Sequence, residues 1–447
     1  MDINQNLNEL IAKEINSLGS NKFSIALSGG IDSMVLLDLI SKVKRPSDLL
    51  RVIHINHNLE KASKEWVDFV NNVCEQYNLP LIIKSVYPKQ KGFGIEAEAR
   101  DQRYDKFREI ILENEYLFTA HHLDDQLETT LYRIFRGTGI DGLRSIRKNI
   151  KIGKGFLYRP LINVPREVIK EYAELNNIRW INDRSNNNTD LDRNYLRKEI
   201  IPQIKQRWPS AQITASRLSV LAENNQKLLY EVAEQDIGEL KQLNILDIES
   251  LSNKSSLRIN NIFRFMIYKN KMKAPSLKVL ENGIETLLNA KSDCPSITWN
   301  GYSIRRYKNT LYFLSPDIKR SNSLPYQTKW HIDEIINLGG KRGSIKAEFI
   351  KGQGIAINKC KKILAIKYRK GGEQIKPSGH KIKKSLKNLF QENNVLPWVR
   401  NEIPLVYLDE DLISVGDLWF NQDYKAKEKE DGFLISWNKE MDIIHNS

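Results

Sequence analysis

The chain has 447 residues, 40% of them hydrophobic, and 69 Lys plus Arg against 55 Asp plus Glu, for a formal charge of +14. That length is too great for one compact domain and points to two or three; the dispersed basic excess suits either a polyanionic partner or a solvated Lys-rich surface. Cys74, Cys294 and Cys360 stand far apart with no Cys-x-x-Cys spacing, which excludes a disulfide framework and a zinc ribbon. No stretch approaches the roughly 18 apolar residues of a membrane span, and the first residues lack the basic and apolar parts of a signal peptide. The expectation is a cytoplasmic protein in a reducing compartment, with no membrane association.

In chain order, Phe23-Ser24-Ile25-Ala26-Leu27 reads as a strand, Ser28-Gly29-Gly30-Ile31-Asp32-Ser33 as a glycine turn, and Met34 to Ile40 as a helix. A helix start leaves backbone N–H groups unpaired, and glycines let the backbone approach a phosphate closely. Neither a Walker loop nor a Gly-x-Gly-x-x-Gly dinucleotide turn occurs in this setting. Asp32 also reads as a helix N-cap. The six residues resemble the pyrophosphate loop of the N-type ATP pyrophosphatases, in which the β and γ phosphates are gripped while the α phosphate is attacked.

Apolar runs at Leu49–Ile55, Leu81–Ile83 and Tyr116–Phe118 alternate with helical patterns at Ser63–Tyr77 and Ile95–Leu112. That rhythm predicts parallel βαβ units in a doubly wound α/β sheet, whose ligands sit beyond the carboxyl ends of the strands. The motifs at Ser28, His54-Ile55-Asn56-His57 and His121-His122 all fall at that edge. A helix is expected to start near Asp124, which places Asp125 and Glu128 on one face near its N-terminus. Two such carboxylates suit a Mg²⁺ ion, the ammonium group of an amine substrate, or the helix dipole alone. Zinc is disfavoured for the histidines, because neighbours on extended chain point to opposite sides and no cysteine is near. Arg100 and Arg103 share a helix face, Arg159 begins Arg-Pro-Leu, and Asp183-Arg184-Ser185-Asn186 leads to Arg193-Asn194-Tyr195-Leu196-Arg197. Guanidinium forks suit phosphate whose charge rises during displacement.

A second section starts near Trp208-Pro209, with helical periodicity over Ile213–Leu240 and Leu257–Lys269 and alternating runs at Ile304–Tyr307 and Leu311–Phe313. The third section opens with short strand-like runs and carries a basic segment at residues 376 to 387 with no acid. Trp398 and Arg400 flank that segment, which reads as an RNA surface or as a solvated face. The boundaries expected are 1–207 for the catalytic domain, 208–320 for a helical middle domain, and 321–447 for a small α+β domain.

Together, the loop, His54-Ile55-Asn56-His57, Arg100-Asp101-Gln102-Arg103-Tyr104, the run from His121 to Gly142, Arg159-Pro160-Leu161 and Arg193-Asn194-Tyr195-Leu196-Arg197 resemble the tRNA(Ile)-lysidine synthetase family. Lys376–Lys387, Pro397-Trp398-Val399-Arg400 and Pro404-Leu405-Val406 resemble that family's C-terminal tRNA-binding domain. Arg144-Ser145-Ile146 departs from the usual smaller residues after Gly142-Leu143.

The resemblance implies an adenine nucleotide alpha hydrolase-like fold, ATP and Mg²⁺ as cofactors, and free L-lysine and a tRNA(Ile) with a CAU anticodon as partners. It further implies that Ser28, Gly29, Gly30, Ile31, Asp32 and Ser33 bind ATP, and that Asp32 meets Mg²⁺ or the lysine amine. Asp125 and Glu128 would bind lysine, while His121, Arg100 and Arg197 stabilise the activated phosphate. Lys381, Lys383, Lys384 and Arg400 would meet tRNA, and the family is often dimeric. The rivals are a tRNA thiolase, which needs a thiolate although Cys74 is the only cysteine in the catalytic half, and a non-catalytic RNA-binding protein, in which the loop has no reason to be intact.

Overall fold

The computed structural model describes residues 3–57, 63–88, 95–182, 188–240, 242–290, 292–316, 327–439 and 443–444. The chain divides after Leu229 into two compact units.

The first unit is built on a six-stranded sheet of β1 (Lys22–Ala26), β2 (Leu49–Asn56), β3 (Leu81–Ser85), β4 (Tyr116–Phe118), β5 (Asn149–Ile152) and β6 (Gly155–Tyr158). Their order is β3-β2-β1-β4-β6-β5, parallel throughout except for β5. The chain therefore winds outward from β1 through β2 to β3, then returns to β1's other side at β4. That reversal between β1 and β4 is the switch point at which such sheets open a crevice.

The helices of this unit are α1 (Ile3–Asn16), α2 (Ile31–Val43), α3 (Ser63–Gln76), α4 (Ile95–Ile110), α5 (Leu123–Phe135), α6 (Ile140–Leu143) and α7 (Arg166–Leu175). The expected strands β1 to β4 and the helices after them are all present, whereas α1, α7 and the β5–β6 hairpin were not among the expected elements. In α2, every residue from Ser33 to Ile40 is buried, because its apolar run covers the whole circumference and it packs among the sheet, α1 and α7. At roughly 1.5 to 3 kcal/mol per buried aliphatic side chain, that core holds the start of α2 rigidly against β1. Lys44 caps α2 in an extended conformation shortly before Pro46, which cannot continue a helix.

After α7 the first unit carries α8 (Asp192–Tyr195), one π-helical turn (Leu196–Ile200), α9 (Ile201–Arg207) and the start of the next helix. The long α10 (Ala211–Ile237) follows and runs into the second unit. Beyond it, α11 (Ser256–Lys269) and α12 (Leu277–Asn289) pack on an antiparallel sheet of β7 (Ile245–Asp247), β8 (Ser296–Trp299), β9 (Tyr302–Tyr307) and β10 (Thr310–Leu314). The helical periodicity anticipates α10 and α11 and the alternation anticipates β9 and β10; α12, β7 and β8 were not among the expected elements, although α12 buries Leu280, Ile284 and Leu287 at helical spacing.

The rest of the second unit is mostly antiparallel. One five-stranded sheet orders Gln327–His331, Ile363–Lys367, Leu405–Leu408, Asp411–Val415 and Trp419–Phe420. A four-stranded sheet is centred on Ser344–Lys351 paired with Asp431–Asn438, and a short helix runs from Leu386 to Glu392. No helix among the described residues is long and apolar enough to cross a membrane.

Candidate functional site: a phosphate loop facing paired carboxylates

A cavity of about 540 Å³ opens beyond the carboxyl ends of β1, β2 and β4. Its walls include Ser28, Gly30, Asp32 and Ser33 from the loop, His54 and His57 from the end of β2, and His121 and Asp125 from the β4–α5 junction. Arg103 and Tyr104 of α4, Arg197 of the π turn, Asn56 and Thr119 add further polar groups to the lining.

Gly29 sits at φ +88°, a left-handed conformation open to glycine at little cost. Its carbonyl accepts from the Ile181 N–H at 2.8 Å, which ties the loop to the segment after α7. Ser33 Oγ donates to the Gly30 carbonyl at 2.9 Å and lies 3.1 Å from Ser28 Oγ. Gly30, not Asp32, is the N-cap of α2, and no side chain closes that cap. The first-turn N–H groups of α2 thus remain available to an anion.

Asp32 occupies the first turn of α2, and its Oδ2 lies 3.8 Å from His122 Nε2. His122 Nε2 is also 3.6 Å from Asp125 Oδ2, and the same oxygen accepts from the His122 N–H at 2.9 Å. The imidazole therefore stands between two carboxylates. Burial raises the Asp32 pKa, and the nearby Asp125 charge adds to it against the pull of His122, Arg166 and Arg197. Glu128, one turn further along α5, is also raised by burial despite Arg197. Arg197 Nη2 approaches Glu128 Oε2 at 2.7 Å and Asp125 Oδ1 at 3.7 Å. The π turn carries Arg197 over α5; such turns cluster at functional sites.

The opposite wall is basic. Arg159 is 3% exposed. Its Nε donates to His121 Nδ1 at 3.4 Å, its Nη1 to the Arg147 carbonyl at 2.5 Å and its Nη2 to Tyr104 Oη at 3.4 Å. Burial pushes the His121 pKa well down, and the guanidinium groups of Arg159, Arg103 and Arg100 push the same way. Burial would raise the Tyr104 phenol, but Arg100, Arg159 and Arg103 outweigh it and the net shift is downward. Arg100 stands over the Tyr104 ring at 5.3 Å and is not itself among the lining residues, whereas Arg103 is. His54 Nδ1 donates to the Leu27 carbonyl at 2.8 Å, and burial lowers its pKa. The His57 pKa is pushed down to about 4 by burial, Arg103 and His54.

Sequence reasoning named the loop, His121, Asp125, Glu128 and Arg197, and these converge. It gave His122 no task beyond a phosphate- or base-binding role shared with His121, and it noted Arg159 only as part of a motif. The signal for both was adjacency: His122 follows His121, and Arg159 follows β6. Asp183-Arg184-Ser185-Asn186 lies outside the described residues.

At the far end of α5, Arg136 and Arg193 each stand 5.3 Å from the Tyr132 ring, and Phe135 beside them is 70% exposed. In the second unit, Lys381 and Lys383 are exposed, while Lys384 Nζ donates to Glu392 Oε2 at 2.8 Å. The Arg400 guanidinium donates from Nε and Nη2 to the Val395 carbonyl, and the Arg305 guanidinium lies 5.6 Å from the Trp398 ring.

Among the described residues, no group of three or more His, Cys, Asp and Glu is arranged to hold a metal ion. Asp32 Oδ1, however, is buried without a hydrogen-bond partner; the nearest cation is Arg166 Nε at 3.9 Å. One free carboxylate oxygen beside a phosphate loop fits Mg²⁺, which takes one or two carboxylates and completes its shell with phosphate and water.

The switch-point sheet, the uncapped helix start after Ser28-Gly29-Gly30 and the carboxylates across the crevice define a PP-loop protein, and residues 1–204 match the family model described as the PP-loop domain. Residues 246–312 match the TilS substrate binding domain, and residues 364–437 the TilS substrate C-terminal domain. A tRNA(Ile)-lysidine synthase of Coxiella burnetii is 36% identical over 437 residues, covering 97% of this chain and 96% of its relative. One of Legionella pneumophila is 35% identical over 409 residues, covering 89% and 93%. The chain belongs to the tRNA(Ile)-lysidine synthase family. Among solved structures, a U34-tRNA thiolase of Methanococcus maripaludis is similar at 18% identity and TM-score 0.42, covering 49% of this chain and 80% of that one.

Proposed function

We infer that this chain joins lysine to C2 of the wobble cytidine of a CAU-anticodon tRNA(Ile), with ATP as the activating reactant, so that the product reads AUA as isoleucine instead of AUG as methionine. The observation that carries this reading is the convergence, in one cavity of a chain of this family, of an open phosphate loop with Asp125 and Arg197, the latter paired with Glu128 behind it.

In the first step the C2 oxygen of the base attacks the α phosphate; an O–P bond forms, the α–β bridge breaks and pyrophosphate leaves. Ser28, Gly29, Gly30, Ile31 and Ser33 hold the β and γ phosphates through their backbone and hydroxyls. Asp32 is the residue that holds Mg²⁺, which when bound neutralises phosphate charge. His121, Arg100 and Arg197 stabilise charge on the α phosphate, with Arg103 closer to the cavity than Arg100. In the second step the ε-amine of lysine attacks C2 and AMP departs with its electron pair. Asp125 and Glu128 bind and orient the amine, and their shared contact with Arg197 holds them in place.

Residues 1–207 form the catalytic domain in this reading, 208–320 a helical substrate domain and 321–447 the basic tRNA-binding domain, where Lys381, Lys383, Lys384 and Arg400 serve the tRNA. A thiolase reading is not favoured: Cys74 is buried in α3, and burial pushes its thiol up to about 11, far from a thiolate nucleophile.

Incubation with ATP, labelled lysine and unmodified tRNA(Ile) bearing CAU, followed by nucleoside analysis, tests the assignment. Lysidine is expected from the unmodified chain and none from Asp32→Ala, which still binds tRNA. Normal turnover by Asp32→Ala would remove Asp32 from its role.

A further inference from the structure

The geometry points to Arg159 as the residue that fixes His121 as a neutral imidazole with its only proton on Nε2, so that His121 serves the site as a hydrogen-bond donor and not as a base. This deepens the reading above and rests on it for the identity of the acceptor, a phosphoryl oxygen of ATP.

A guanidinium has N–H donors and no acceptor. Arg159 Nε lies 3.4 Å from His121 Nδ1 and can only donate to it, so Nδ1 carries a lone pair. Thr119 Oγ1, 3.0 Å from the same Nδ1, is compatible with this, since a hydroxyl can also donate. Both contacts of the ring fall on Nδ1, leaving the Nε2 edge to the cavity that His121 lines. The charged groups facing the ring are Arg159 from the segment after β6, Arg103 and Arg100 from α4, and the adjoining His122. None of these is an anion, so none of them favours an imidazolium.

Arg159 is itself held on three sides. Its other nitrogens donate to the Arg147 carbonyl and Tyr104 Oη, and it is almost wholly buried. A donor fixed at both ends suits a site where negative charge grows, because no reorganisation is needed when the charge appears. Arg159 acts through His121 and is a positioning residue.

The test is nitrogen NMR of the full chain labelled at its 7 histidines, with the His121 signals assigned by their loss in His121→Asn. A single Nε2–H tautomer that does not titrate between pH 5.5 and 8.5 is expected. Arg159→Gln should show mixed tautomers or a titration inside that range. Arg159→Lys, which keeps a donor, should restore the Nε2–H form. ATP-dependent pyrophosphate release should fall roughly 10- to 100-fold in Arg159→Gln with KM for ATP little changed, and Arg159→Lys should recover part of it. An Nδ1–H tautomer or a titrating imidazole in the unmodified chain would overturn the inference even if every Arg159 variant failed to fold. If the imidazole behaves as expected but no lysidine forms, the proposed reaction fails while the imidazole assignment stands.

Discussion

Arg197 and Glu128, 69 residues apart, meet through one oxygen: Arg197 Nη2 is 2.7 Å and Nε 2.9 Å from Glu128 Oε2. Both guanidinium nitrogens converge on that atom, so Glu128 Oε1 stays outside the pair. The carboxylate is buried and the guanidinium half-exposed, and it is Arg197 that lines the cavity, so the loss of Glu128 reaches the cavity through Arg197.

Replacing Glu128 with Gln should therefore separate the two half-reactions. Removing one member of a desolvated charge pair leaves the other uncompensated and weakens whatever cation shares the carboxylate. The expected outcome is a roughly 10- to 100-fold fall in kcat/KM for lysine, with pyrophosphate release changed by only a few fold. Steady-state kinetics with lysine and ATP varied separately checks this; equal losses in both steps would contradict it.

Gly29→Ala tests the loop. At φ +88° a Cβ is strained, and it would also stand 3.2 Å from Ile181 Cδ1. The expected cost is about 1 to 2 kcal/mol of stability, with a raised KM for ATP because the first-turn N–H groups shift. Thermal unfolding and ATP-dependent kinetics measure the two effects.

The histidines make stability pH-dependent. His57 has its pKa lowered to about 4 in the folded chain, against an ordinary 6.5. Between those values the unfolded chain binds more protons at this site than the folded one, so stability drops as pH falls from about 6.5 toward 4. His54 and His121 act in the same direction, whereas the raised pKa values of Asp32 and Glu128 act oppositely at the acid end of the window. The test is a difference: His57→Asn should lose less melting temperature between pH 7 and pH 5 than the unmodified chain. Parallel curves would contradict the assignment.

Among the lysines of the basic segment, Lys381 and Lys383 are exposed while Lys384 is paired with Glu392. Alanine at both Lys381 and Lys383 should weaken tRNA binding and make the log–log salt dependence shallower by roughly 1 to 2 units. Lys384→Ala should do less, since its charge is already partly neutralised. Binding titrations at several salt concentrations distinguish these outcomes; an unchanged slope in the double variant would make the segment a solvated face.

The phosphate loop, the strands β1 to β4 and the shared helical face of Asp125 and Glu128 were legible in the amino-acid sequence, because each depends on turn chemistry or periodicity within about a dozen neighbouring residues. The helices α1, α7 and α12 and the hairpin β5–β6 were not anticipated: the helices do carry apolar residues at helical spacing, such as Leu7, Ile11 and Ile15 in α1 and Leu280, Ile284 and Leu287 in α12, whereas the hairpin strands are only 4 residues each and too short for a periodicity to show. Which arginine faces the cavity was also beyond local pattern: Arg100 and Arg103 share a helix face, yet Arg103 lines the cavity while Arg100 covers Tyr104. Tertiary structure alone decided that Arg159 meets His121 from 38 residues away and that Arg197 meets Glu128. Those partners are set by the β3-β2-β1-β4-β6-β5 order and by one π turn, where long-range packing, not local preference, selects the neighbour.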